Sequence, residues 1–195
     1  MDVEISKEDY NKEKRRKVAK PLVWFGMISI VMLFAGLTSA VVVRKGDGNW
    51  MHFEMPLMFL WSTIIITLSS ISLFIASFAA KKDNALTTKV GVIGTLILGV
   101  LFVYTQVEGY GQLVDLGVYF TGANHNASGS FLYIISGAHL VHLAGGMIAL
   151  LVVFFNALKG RYNSKNLLGL QVFSTYWHFL GALWIYLYLF FRMII

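Results

Sequence analysis

The chain has 195 residues, of which 57% are hydrophobic and 13% charged, with a formal net charge of +6. Soluble domains carry roughly 25% charged residues, and a chain this short cannot hide so much apolar surface in a water-soluble core. Nucleic-acid binding is excluded because Lys and Arg stand at the ends of apolar segments, without a basic stripe interleaved with aromatics. The absence of Cys excludes disulfides, thiolate nucleophiles and Cys-ligated metals.

Five long apolar segments follow a basic arm of residues 1–20 and predict an all-α, polytopic membrane protein. About twenty residues make a helix of roughly 30 Å, the thickness of the hydrocarbon core. The segments lack the alternation of β-barrel strands, so helices are the remaining way to satisfy the backbone in lipid. The predicted transmembrane helices of this single domain, residues 21–195, lie near residues 22–43, 56–80, 90–107, 131–158 and 172–194.

The distribution of Lys and Arg predicts the orientation. Thirteen of these residues fall on the side of the N-terminus and three on the opposite side. By the positive-inside rule, we expect a cytoplasmic N-terminus and a periplasmic C-terminus in a bacterial inner membrane. We expect the first apolar segment to be a retained anchor, because it exceeds the roughly 7 to 15 residues of a signal-peptide core.

Polar and small residues at membrane depth are the candidates for function, because an intramembrane polar group needs a partner. On the fourth segment, two histidines three residues apart share a face with a glycine, and the fifth segment carries a histidine flanked by tryptophans. Near its outer end, the third segment carries an amide and a carboxylate. These candidates are His139, His142, Gly146, Trp177, His178, Trp184, Gln106 and Glu108.

Three intramembrane histidines also allow a bis-His membrane b-type cytochrome, with haem held between the fourth and fifth helices. An i, i+3 pair near a helix end more often bonds to hydroxyls, carbonyls or a neighbouring subunit, so we favour structural or partner-contact roles. Glu108 is either a member of a proton relay or a hydrated interfacial acid, and we favour the second. A pump would require a chain of acidic or His residues through the bilayer, which the sequence lacks.

Three blocks of the sequence resemble subunit III of the haem-copper respiratory oxidases, in its short five-helix bacterial form. The fourth segment has the family's G-x-H-x-x-H-x-x-x-G pattern, the fifth resembles the family's final helix, and the third resembles the end of its middle helix. The residues that carry the resemblance are Gly129-Ser130-Phe131, Ser136 to His142 and Gly146, Tyr176 to Phe179 with Trp184 to Tyr188, and Gln106 with Tyr110.

Two positions depart from the family pattern. Ile30 stands where many members have a glutamate, so a lipid-anchoring or proton role of that acid is not carried over. Gly181 stands where many members have an aspartate.

The resemblance implies a non-catalytic subunit without catalytic, cofactor or metal residues of its own. Haem and copper are expected in oxidase subunits I and II, and the complex reduces oxygen to water and pumps protons. The subunit would stabilise the catalytic subunit, support proton uptake and hold phospholipid in a cleft. We expect helices one and two to pair, and helices three to five to form a second group beyond that cleft.

The partners implied are those subunits and membrane phospholipids, while membership of a larger respiratory supercomplex stays open. An accessory subunit of a nitric oxide reductase is the alternative within the family, and the b-type cytochrome is the alternative outside it.

Overall fold

A computed structural model describes residues 7–46, 48, 50–122, 126–164 and 166–195, with side chains from Lys17 onward. As predicted, the described part of the chain is all-helical, and its five helices are each long and apolar enough to cross a membrane. In chain order they are α1 (Lys7–Gly46), α2 (Leu57–Lys81), α3 (Ala85–Asp115), α4 (Ala127–Leu158) and α5 (Leu168–Ile194).

Helices α3 and α4 begin before the apolar segments from which they were predicted, and a polar side chain caps each start. Asn84 accepts a hydrogen bond from the backbone of Thr87 and starts α3, and Asn126 does the same for Ser128 at the start of α4. Such side chains satisfy amide groups that have no partner within the helix. Helix α1 begins at Lys7, so its backbone runs into the predicted basic arm.

Helices α2 and α3 form the closest pair. Only residues 82–84 connect them, with Asp83 in the left-handed region at φ 56°. A Cβ on Gly91 would lie 2.7 Å from the Cβ of Ala76, and one on Gly94 would lie 2.9 Å from a serine Oγ. The short connection and the two glycines therefore bring these antiparallel backbones into direct contact.

The predicted pairing of helices one and two is wrong. In the described structure α1 contacts α4 and α5, whereas α2 contacts α3 and α5. The connection between α1 and α2, residues 47–56, is longer than the connection of three residues between α2 and α3, so it does not require α1 and α2 to be neighbours. The expected two-plus-three grouping is therefore not formed.

Helix α5 lies at the centre of the arrangement, in contact with α1, α2 and α4. Its buried face carries both large indoles, Trp177 and Trp184. At the C-terminal end of α5, the carbonyl of Ile194 accepts hydrogen bonds from Lys45 at 2.8 Å and from Trp50 at 3.1 Å. These two bonds fasten the end of α1 and its following loop to the last helix.

Candidate functional site: a polar and aromatic layer between the helices

His139 is fully buried in α4 and is surrounded by aromatic rings from three other helices. Its ring centroid lies 5.2 Å from Trp184, 6.3 Å from Phe102 and 6.4 Å from Phe34. Neither ring nitrogen has a hydrogen-bond partner within the described structure. His139 thus stands where α1, α3, α4 and α5 meet.

Gln106 and Trp184 join α3 and α5 to α2 through hydroxyl groups. The Gln106 Nε2 donates to Ser62 Oγ at 2.8 Å, and the Trp184 Nε1 donates to Thr63 Oγ1 at 3.1 Å. Both hydroxyls donate in turn to the carbonyl of Phe59 at 2.8 Å. Each hydroxyl therefore accepts and donates, so the polar groups bridge helices without facing lipid.

Trp177 makes a second connection of the same kind, about two turns along α5. Its Nε1 donates to Ser69 Oγ at 3.1 Å, and Ser69 donates to the carbonyl of Thr95 at 3.3 Å. The indole also packs against Gly99, where a Cβ would lie 3.2 Å from the ring. One tryptophan consequently ties α5 to both α2 and α3.

Gly146 and His142 place α4 against α5. A Cβ on Gly146 would lie 3.0 Å from Leu180 Cδ1, so the glycine permits a close approach. The Tyr176 hydroxyl donates to the carbonyl of His142 at 3.1 Å. The His142 Nδ1 lies 2.7 Å from the carbonyl of Ala138 within its own helix.

Two of the predicted site residues lie apart from this layer. Glu108 is on the exposed face of α3, and His178 is half-buried beside a groove between α1, α2 and α5. The other six candidates are brought to contacts between helices, where their side chains or backbones pack against a neighbouring helix.

Sequence reasoning missed the hydroxyl partners of this layer. Tyr110 donates to Ser136 Oγ at 2.8 Å and links α3 to α4. Ser62 and Ser69 are seven residues apart in α2, on the buried face that continues to Ala76. A serine repeated at this spacing on an otherwise apolar helix face was the available signal, since residues seven apart share a face.

The histidines of α4 and α5 lie in different surroundings. Aromatic rings occupy the space around His139, and His178 faces a different groove. The layer provides hydrogen bonds that connect α2, α3, α4 and α5.

Fold and site together define a multi-pass helical membrane protein whose buried polar groups connect its helices. The protein family described as cytochrome c oxidase subunit III matches residues 46–194. The chain belongs to this family, the third subunit of the haem-copper oxidases, and the predicted resemblance is confirmed.

Individual relatives agree with the family match. The chain is 29% identical to cytochrome c oxidase subunit 3 of Corynebacterium diphtheriae, over 82% of this chain and 80% of the relative. It is 30% identical to a probable cytochrome c oxidase subunit 3 of Nocardia farcinica, over 86% and 82%. A probable quinol oxidase subunit 3 of Staphylococcus saprophyticus is 25% identical, over 85% and 83%.

Proposed function

We propose that this chain is the non-catalytic subunit III of an aerobic terminal oxidase of the cytochrome c oxidase type. In this role it stabilises the catalytic subunit and supports proton uptake, while haem and copper are held by subunits I and II. The complex reduces oxygen to water and pumps protons across the bacterial inner membrane.

The observation that carries this proposal is that polar groups at membrane depth form hydrogen bonds between helices. The indoles of Trp177 and Trp184 and the amide of Gln106 donate to hydroxyls on α2. Groups engaged in this way hold helices together. A chain built like this contributes a shaped, rigid surface to a complex.

The charge distribution supports the orientation, with the N-terminus and the connections after α2 and α4 in the cytoplasm. Thirteen of the sixteen Lys and Arg residues then face the cytoplasm. Glu108 is exposed near the outer end of α3, where a carboxylate remains hydrated.

Affinity purification of the tagged full-length chain from membranes tests the proposal. We expect co-purified subunits with haem absorption and oxygen consumption, assayed with reduced cytochrome c and with quinol in parallel. Deletion of the chain should lower the number of turnovers before the oxidase inactivates, and leave the haem spectrum of the partner in place. A partner that reduces nitric oxide would instead support the accessory subunit of a nitric oxide reductase.

The b-type cytochrome alternative is tested by the same preparation. A Soret band that His139→Ala or His178→Ala removes from the isolated chain would overturn the non-catalytic assignment. The packing of rings around His139 gives the opposite expectation, namely an isolated chain without haem absorption.

A further inference from the structure

Two fully buried side chains of the polar and aromatic layer carry atoms without a hydrogen-bond partner. In α3 the atom is Oε1 of Gln106, and in α4 both ring nitrogens of His139 are without one. The two side chains therefore do not bond to each other directly. Because a buried donor or acceptor without a partner is unfavourable, such atoms in native proteins are commonly paired with an ordered water molecule.

The register of α3 and α4 places the two residues at the same level. Tyr110 donates to Ser136 Oγ at 2.8 Å, which fixes opposite positions on these consecutive, antiparallel membrane helices. From this contact, Gln106 lies one turn deeper in α3, and His139 lies three residues deeper in α4. Phe102, one turn beyond Gln106, has its ring centroid 6.3 Å from that of His139. His139 is therefore opposite Gln106, between the levels of Tyr110 and Phe102.

The orientation of the Gln106 amide is fixed by the hydroxyl next to it. Ser62 donates its only hydroxyl proton to the carbonyl of Phe59 at 2.8 Å, so its oxygen can only accept from the amide. The Nε2 of Gln106 consequently faces Ser62, at 2.8 Å, and Oε1 is directed away from it. Oε1 needs a donor, and the imidazole ring of His139 has at least one N–H group to donate.

We propose that one buried water molecule binds between Gln106 and His139. A ring N–H of His139 donates to the water, and the water donates to Oε1 of Gln106. Two such steps span about 4.5–5.5 Å, which a direct hydrogen bond cannot. The ligand has to be small, because the rings of Phe34, Phe102 and Trp184 surround His139 with centroids 6.4, 6.3 and 5.2 Å away. The water joins α4 to the hydrogen bonds between α2, α3 and α5.

The first test is a structure of the full-length chain, with the subunits that co-purify, at a resolution that shows ordered water. We expect a density peak about 2.6–3.2 Å from both Oε1 of Gln106 and one ring nitrogen of His139. The same structure of the Gln106→Leu variant should lack the peak. The proposal depends on contacts inside the chain, and not on its proposed role in an oxidase.

The second test is a cycle of variants that measures the coupling between the two side chains. His139→Phe and Gln106→Leu each leave the opposite end of the water bridge unpaired, whereas the double variant leaves neither end. Mixtures of dodecyl maltoside and dodecyl sulfate give the equilibrium constant for unfolding of the full-length chain. The double variant should unfold about threefold less than the product of the single effects predicts, as for an average hydrogen bond between membrane helices. The contact with Ser62 is lost in the single and in the double variant, so it cancels.

The matched control is the pair His139→Phe with Ser69→Ala. Ser69 accepts from Trp177 and lies seven residues, or about 10 Å, along α2 from Ser62. The effects of this pair should multiply to within about twofold, because the two sites share no partner.

Two results would overturn the proposal. One is a structure in which no water lies between Gln106 and His139, whether the side chains touch directly or stay apart. The other is a set of unfolding constants in which His139→Phe and Gln106→Leu act as independently as the control pair. The wild-type structure decides the proposal even where a variant does not fold.

Discussion

Helices α5 and α1 are both long and apolar, yet they relate to the rest of the molecule in opposite ways. Half of the most apolar window of α5 is buried inside the protein (50%), against 22% for α1. Helix α5 uses its indoles to bond with α2, whereas α1 meets the others through few polar contacts, such as Tyr186 with Thr38 at 3.2 Å. Hydrophobicity alone therefore does not distinguish a central helix from a peripheral one.

Truncation of Trp184 gives the largest expected effect. Trp184→Ala empties the space between Phe59, Phe102 and His139, and a buried Trp-to-Ala change costs about 3–5 kcal/mol. Trp24→Ala in α1, where the indole is 60% exposed, should cost less than about 0.5 kcal/mol. The thermal unfolding midpoint in detergent measures both effects. An equal decrease in the midpoint of the two variants would contradict the distinction between central and peripheral helices.

Enlarging a glycine is the next strongest test. Gly91→Leu forces a side chain into the contact between α2 and α3, where Ala76 and the carbonyl of Ser72 stand in the way, and should cost about 1–3 kcal/mol. Gly36→Leu in α1 meets open space. Size-exclusion profiles should show loss of monodisperse protein for Gly91→Leu alone. A normal profile for that variant would contradict the close approach of the two backbones.

Removal of a single hydroxyl should have a smaller effect. Ser69→Ala leaves the Trp177 Nε1 without its acceptor, and interhelical hydrogen bonds in membranes contribute about 0.6–1.7 kcal/mol. Ser29→Ala in α1 removes only a bond to the carbonyl of Phe25 in the same helix. Unfolding in a denaturing detergent should separate the two variants, with Ser29→Ala close to wild type.

The smallest expected effect is a dependence of the stability on pH, caused by a tyrosine at one end of the bundle. Burial raises the pKa of Tyr162, in the connection between α4 and α5, above its ordinary value of 10.0, although a hydrogen bond with Asn156 partly lowers it. The neutral phenol is favoured in the folded state, so its stabilisation is present below pH 10.0 and is lost as the pH rises through the folded pKa. Tyr162→Phe should reduce the change in the free energy of unfolding with pH above pH 10.0. If the variant and the wild type show the same dependence on pH, titration of Tyr162 does not contribute to it.

The sequence predicted the number of helices because each apolar segment is matched to bilayer thickness. It did not predict their arrangement. A connection of ten residues between α1 and α2 leaves the neighbours of α1 open, and hydropathy does not identify them. Only a close look at Gly91 and Gly94, with a three-residue connection, would have indicated the pairing of α2 with α3.

The candidate site was predicted in part. His139, Gln106 and Trp184 stood out because polar groups are rare at membrane depth. Their acceptors did not stand out, because Ser62, Thr63 and other hydroxyl residues are common in membrane helices and bond equally well to their own backbone. His178 was grouped with the other histidines by residue type, although it lies beside the groove between α1, α2 and α5.

The placement of α1 against α4 and α5 has a consequence for biogenesis. Eighty-one positions separate the end of α1 at Gly46 from the start of α4 at Ala127. At roughly 5–20 residues per second, the ribosome needs about 4–16 s to synthesise that stretch. During this interval the final neighbours of the first helix have not yet been synthesised, whereas both helices of the α2–α3 hairpin are complete before its end.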